Sequence, residues 1–156
     1  MIAYTDGATS NNGYEGAVGG WAFCVIDGNG VIIEAKSGKL TPATNNQCEL
    51  TAMINACNWL KACSIEGARH EIYSDSAYII NCYIQNWYKK WQINGWRNSK
   101  KEPVANKQLW EKLIPFFEDS NFNFYKVEGH STNQYNNFVD KLAVEAKNVK
   151  NNNSGL

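Results

Sequence analysis

The chain has 156 residues and a mass of 17.6 kDa, room for one domain and little more. At 44% hydrophobic and 19% charged it can bury an ordinary core, which excludes a wholly disordered protein. Fifteen Lys and Arg balance fifteen Asp and Glu, so neither a uniformly basic nucleic-acid wrapper nor a strongly acidic tail protein fits.

No apolar run approaches the roughly 18 residues of a membrane-spanning helix, and Met1-Ile2-Ala3-Tyr4-Thr5-Asp6 is not a signal peptide. Five cysteines (Cys24, Cys48, Cys57, Cys63 and Cys82) form no CxxC pair and sit at no zinc-site spacing. Four lie in apolar stretches and read as small buried hydrophobes. A soluble, cytoplasmic monomer without membrane association is the expectation.

Residues 1–40 read as three antiparallel strands. Ile2, Tyr4 and Asp6 share one face by period two, and a glycine-rich stretch from Gly7 to Gly20 is expected to be irregular. Trp21–Ile26 and Val31–Ala35 flank Asp27-Gly28-Asn29-Gly30, a hairpin signal. From residue 44 the period becomes helical. Thr44-x-x-Gln47 resembles a capping box, Leu50, Met53, Ile54, Cys57 and Leu60 repeat at helical spacing, and Gly67 marks the stop. A short strand, Glu71–Asp75, precedes a helix starting near Ser76. Asn106–Phe117 reads as a helix, Phe122–Val127 as a strand and Gln134–Lys147 as a last helix. Residues 1–147 form one domain, and 148–156 a polar, frayed tail. A hairpin run followed by helix–strand alternation means a mixed sheet covered by helices.

Most carboxylates are solvated surface groups, so those placed among apolar residues are informative. Asp6 lies on the Ile2/Tyr4 face, and Glu49 lies beside the core stripe of the first helix. Asp75 ends a strand at the carboxyl edge where open α/β sheets bind ligands. Asp140 sits among Phe138, Val139 and Leu142. Singly, each has a dull explanation; Asp75, for instance, could cap the helix that follows it. Four clustered carboxylates would repel and protonate unless something positive compensates, and no Lys or Arg is local to Asp6, Glu49 or Asp75. Two divalent cations balance four carboxylates, and all-oxygen ligands favour Mg²⁺ or Mn²⁺ over zinc. This is the charge arithmetic of two-metal phosphoryl transfer.

Between Trp87 and Lys107, six basic residues (Lys89, Lys90, Arg97, Lys100, Lys101 and Lys107) face one acid, Glu102, so the window carries +5 and the remainder −5. Trp87, Tyr88, Trp91 and Trp96 are interleaved with these charges, a mixture suited to phosphate contact plus packing on sugars or bases. Trp87 and Trp110 read as packing residues.

Tyr4-Thr5-Asp6-Gly7-Ala8, Thr44-Asn45-Asn46-Gln47-Cys48-Glu49-Leu50, Tyr73-Ser74-Asp75-Ser76, Glu128-Gly129-His130 and Val139-Asp140-Lys141-Leu142-Ala143, in this order, resemble type 1 ribonuclease H. The arm around Trp87–Lys107 resembles that family's basic protrusion. The resemblance covers about residues 1–147. It implies the ribonuclease H-like α/β fold: a five-stranded mixed sheet of order 3-2-1-4-5, strands 1–3 antiparallel, with helices on both faces. It implies hydrolysis of the RNA strand of RNA–DNA hybrids, leaving 5′-phosphate and 3′-hydroxyl ends.

By motif position, Asp6, Glu49, Asp75 and Asp140 would hold two Mg²⁺ ions, one activating water and one stabilising the leaving 3′-oxygen. His130 would assist proton transfer or product departure, while His70 reads as a bystander. Asn12 and Asn45 would read the RNA minor groove or paired bases. Thr44 and Asn106 would grip a DNA-strand phosphate, and Trp91 and Ser99 would line the DNA-strand channel. Trp96, Lys100 and Lys101 would complete the substrate surface. Pro42, Ala77 and Glu128 depart from the family's usual residues and bear on affinity and cleavage pattern. With Met1 opening the first strand, no upstream hybrid-binding domain is expected. The alternatives are a non-catalytic hybrid-binding module and a DNA-directed nuclease of the same fold; four retained acids argue against the first, the Trp/Lys arm and the Thr-Asn-Asn-x-x-Glu segment against the second.

Overall fold

The computed structural model describes residues 1–10, 12, 14–128 and 132–150. Three antiparallel strands, β1 (Ile2–Ser10), β2 (Val18–Ile26) and β3 (Ile32–Leu40), open the chain. The β2–β3 turn forms where expected: Asp27 Oδ1 accepts from the N–H groups of Asn29 (2.9 Å) and Val31 (3.0 Å), and Gly30 has φ +78°.

The glycine-rich stretch is more regular than expected. β1 runs through Gly7 to Ser10, paired with Val18–Trp21 on β2. Several of its glycines mark helix docking rather than a loop. A Cβ on Gly7 would lie 2.7 Å from both Cys48 Cβ and Glu49 N, and one on Gly20 would lie 2.0 Å from the Ala143 carbonyl oxygen. Only a bare backbone admits helices this close.

Helix α1 (Asn45–Cys63) starts at the expected capping box: Thr44 Oγ1 accepts from Gln47 N–H (3.2 Å), and Gln47 Oε1 accepts from Thr44 N–H (3.0 Å). It ends at Cys63, one turn before Gly67, because Ser64 already has extended backbone. Strand β4 (His70–Ser74) is followed by helix α2 (Ala77–Gln85). Ser76, not Asp75, caps α2, its hydroxyl accepting from Ile79 N–H at 3.3 Å, which leaves Asp75 out of the capping role. Helix α4 (Lys107–Phe117), strand β5 (Phe122–Lys126) and helix α5 (Gln134–Lys147) complete the frame.

The arm contains a further helix, α3 (Trp87–Asn94), for which no helical signal had been read. After it the chain turns at Gly95 (φ +78°), and Asn98 Oδ1 holds the bend by accepting from Lys100 N–H (2.9 Å) and Glu102 N–H (3.0 Å). Trp91 packs edge-on against the fully buried Trp110 (centroids 5.3 Å apart), tying the arm to α4.

The sheet order is β3-β2-β1-β4-β5, with β4 and β5 parallel to β1, so the expected mixed sheet is present. One face packs Phe23 and Ile72 against Leu50, Met53 and Leu60 of α1, with Leu113 of α4 in the same core. The other packs Tyr4, Ala22 and Cys24 against Val139 and Ala143 of α5. Helices thus cover both faces. Four cysteines are buried, Cys63 is exposed, and all five are free thiols.

Candidate active site

Three elements deliver carboxylates to one place. Asp6 comes from β1 and is buried; Glu49 lies on the second turn of α1 and is buried; Asp75 follows β4 directly and is half-buried. One oxygen from each lies within 4.8 Å of the others. The Gly7 N–H donates to Asp6 Oδ1 (2.9 Å) and to Glu49 Oε1 (3.0 Å), joining strand to helix. Glu49 Oε2 is buried with no hydrogen-bond partner, a costly state for a carboxylate oxygen. Asp140, from α5, is exposed and stands outside this three-oxygen group, yet its carboxylate acts on Asp6 and its charge reaches Glu49 and Asp75.

The electrostatics follow from the crowding. Burial, then the neighbouring Glu49, pushes the Asp6 carboxyl far above its ordinary range. Glu49 is raised chiefly by burial, opposed by the neighbouring Asp6 and by the hydrogen bond from Gly7 N–H. Asp75 is raised by burial and by Asp140, opposed by Asp6 and by Lys126. Burial and crowding thus penalise the ionised forms of all three, a penalty that a cation would relieve. An orphaned carboxylate oxygen, three converging hard oxygen donors and uncompensated negative charge together suit a divalent metal ion.

One expectation needs correction. No cation neighbours these acids along the chain, but the β4–β5 pairing sets Lys126 opposite Ser74, where its charge acts on Asp75. Pairing across strands was invisible to a reading along one strand.

Asn12, Thr44 and Asn45 meet at the start of α1. Asn12 Oδ1 accepts from Asn45 N–H at 3.0 Å, and Thr9 Oγ1 donates to Asn45 Oδ1. Asn45 is exposed and lies four residues before Glu49, hence one turn along the same helix face. Thr9 was not singled out from the sequence; only the β1–α1 approach reveals it.

Beside α1 a cleft of about 640 Å³ runs between Asn46 and the arm, lined among others by Trp87, Lys90, Trp91, Arg97 and Ser99. Trp91 and Ser99 were expected there, whereas Trp87 was read as packing. Asn46 was missed because its position depends on how α1 faces the arm. Trp96 lies outside the lining, tilted against Trp91 with centroids 5.8 Å apart, and the Lys107 ammonium sits 5.4 Å from its ring. Lys100 and Lys101 are exposed on the bend. Asn106 is the half-buried N-cap residue of α4. His130 lies outside the described residues.

Comparison with known proteins places this geometry in context. The family model for RNase H matches residues 1–148. A protein of Clostridium botulinum named Ribonuclease H is 44% identical over 147 residues, covering 94% of each chain. One of the same name from Acetivibrio thermocellus is 44% identical over 142 residues, covering 91% of this chain and 90% of the relative. Among solved structures, LC9-RNase H1, described as a type 1 RNase H with the type 2 active-site motif, superposes with a TM-score of 0.71 at 25% identity, over 94% of this chain and 71% of that one.

Proposed function

The chain belongs to the ribonuclease H family, and from that premise we propose that it is a metal-dependent endoribonuclease cleaving the RNA strand of RNA–DNA hybrids. The observation that carries the reading is the convergence of Asp6, Glu49 and Asp75 around a carboxylate oxygen left without a partner. Asp140 stands next to this group and is the fourth ligand of the proposal. The hard oxygen donors favour Mg²⁺, with Mn²⁺ the near substitute. Two such ions would supply charge stabilisation and activation of a water for phosphodiester hydrolysis, leaving 5′-phosphate and 3′-hydroxyl ends.

The chain's own residues supply the rest. Gly7 N–H orients Asp6 and Glu49 so that one oxygen of Glu49 stays free for ligation. Asn45, one turn from Glu49, presents its side-chain amide to the minor groove, where RNA displays its 2′-hydroxyls. Asn12 and Thr9 hold Asn45 in place, so we assign Asn12 a supporting role beside its own groove contact. The arm engages the DNA strand through the cleft between Asn46 and Ser99, with Thr44 and Asn106 at a phosphate and Trp96, Lys100 and Lys101 beyond it. His130 takes part in proton transfer or product departure. Residues 1–147 constitute the catalytic domain; of the stretch 148–156 expected as a tail, residues 151–156 lie outside the described residues. In the cell we place the enzyme in the cytoplasm, acting as a monomer; among the described residues no helix is long and apolar enough to cross a membrane.

The direct test is incubation with labelled RNA–DNA hybrid, duplex RNA, single-stranded RNA and duplex DNA, each with Mg²⁺ or EDTA. Cleavage confined to the RNA of the hybrid and abolished by EDTA is expected; duplex DNA cut at a comparable rate would refute the reading.

A further inference from the structure

Lys126 is the cation nearest in chain pairing to the carboxylates, and it belongs to no part of the basic arm. It ends β5, paired with Ser74, and Val127 N–H donates to the Ser74 carbonyl at 2.8 Å, carrying that register to the point where Asp75 begins. Its side chain is exposed and makes no hydrogen bond or ion pair among the described residues. Glu128 lies exposed two residues further on.

A nucleic-acid strand laid over the carboxylates brings phosphates into a region of negative charge. The six cations of the arm lie between residues 89 and 107, and two of them, Lys90 and Arg97, line the cleft beside α1. Once metal ions neutralise the carboxylates, Lys126 remains as unspent positive charge at the strand edge. A lysine ammonium is a compact point charge on a flexible stem, suited to a phosphate whose exact angle varies.

We propose that Lys126 is a positioning residue for the cleaved strand, its ammonium binding a non-bridging oxygen of a phosphate next to the scissile linkage. This rests on the reading of the chain as a hybrid nuclease. It adds a second anchor on the RNA side of the site, independent of the arm's hold on the DNA strand.

The test is steady-state cleavage of a hybrid by the wild type, Lys126→Gln and Lys126→Arg, with the salt concentration varied. Lys126→Gln should raise KM roughly five- to tenfold with kcat preserved, and reduce the slope of log affinity against log salt by about one. Lys126→Arg should restore both. Hybrids carrying one uncharged methylphosphonate linkage, moved along the cleaved strand, should reveal a position where neutralisation weakens the wild type but adds nothing to Lys126→Gln. The same scan along the DNA strand should affect both proteins alike. An unchanged KM and salt slope in Lys126→Gln would overturn the proposal. So would a shift only in the Mg²⁺ concentration needed for activity, which would mean that Lys126 acts on Asp75 and not on substrate. If the wild type leaves hybrids uncut, the parent reading fails instead, a result separate from any property of Lys126.

Discussion

Asp6 and Glu49 share one hydrogen-bond donor. The Gly7 N–H reaches Asp6 Oδ1 at 2.9 Å and Glu49 Oε1 at 3.0 Å, so residues 43 positions apart are locked by a single peptide group. The lock exists because Gly7 has no side chain: its Cα meets the first turns of α1 almost directly.

Gly7→Ala should therefore damage the site without touching a carboxylate. The added methyl would overlap the backbone at Cys48 and Glu49, which cannot rotate away, and α1 would be pushed off β1. A loss of about 1–3 kcal/mol in unfolding free energy is expected, with a fall in kcat larger than the loss in hybrid affinity. Denaturant melts and cleavage kinetics on the same preparation check both.

Removing a carboxylate should separate stability from activity. In Asp6→Asn or Asp75→Asn, cleavage should drop by on the order of a thousandfold or more, while hybrid binding stays largely intact. The metal-free form of Asp6→Asn should melt higher than the metal-free wild type, because Asp6 is buried against Glu49, Asp75 and Asp140. Calorimetry in EDTA measures this; a lower melting temperature would contradict the crowding argument.

The metal-free protein should lose stability as pH rises. Asp6, Glu49 and Asp75 all bind protons more tightly folded than unfolded. Their contribution is complete below the unfolded carboxylate range near pH 4 and declines as pH climbs through their raised folded values. Saturating Mg²⁺ should flatten or reverse that slope, since the ion favours the charged forms. Melting temperatures from pH 4 to 9, with Mg²⁺ and with EDTA, provide the comparison.

The arm should act through charge. Lys100→Gln with Lys101→Gln should lower the salt dependence of hybrid binding by about two units in log–log slope, because each lysine releases roughly one counterion. Both residues are exposed on the bend, so the melting temperature should hardly move. An unchanged slope would remove them from the phosphate surface.

Elements governed by local chemistry were readable from the chain. Thr44 and Gln47 marked the start of α1, Asp27 with Gly30 marked the hairpin, and the last helix was placed from Gln134 to about Lys147. What escaped the reading depended on partners distant in sequence. Gly7 and Gly20 looked like loop residues because the helices that need their bareness begin tens of residues later. Trp91 is buried by packing with Trp110, so α3 shows weak amphipathic patterning of its own. For the site, Asp6, Glu49 and Asp75 were legible as misplaced acids and do converge. Lys126 and Thr9 were not, since each acquires its meaning from a neighbouring strand or helix.

The close seat of α5 on Gly20 has a bearing on biosynthesis. All five strands are complete by Lys126, yet the fourth acid arrives only with the terminal helix, which also shields Tyr4, Ala22 and Cys24 from water. A polypeptide still emerging from the ribosome, or one clipped ahead of Asp140, holds every strand but presents a bare greasy face and an incomplete acid set. Such a fragment is prone to aggregation or chaperone capture, and the four-acid site we propose would be complete only with the final packing event.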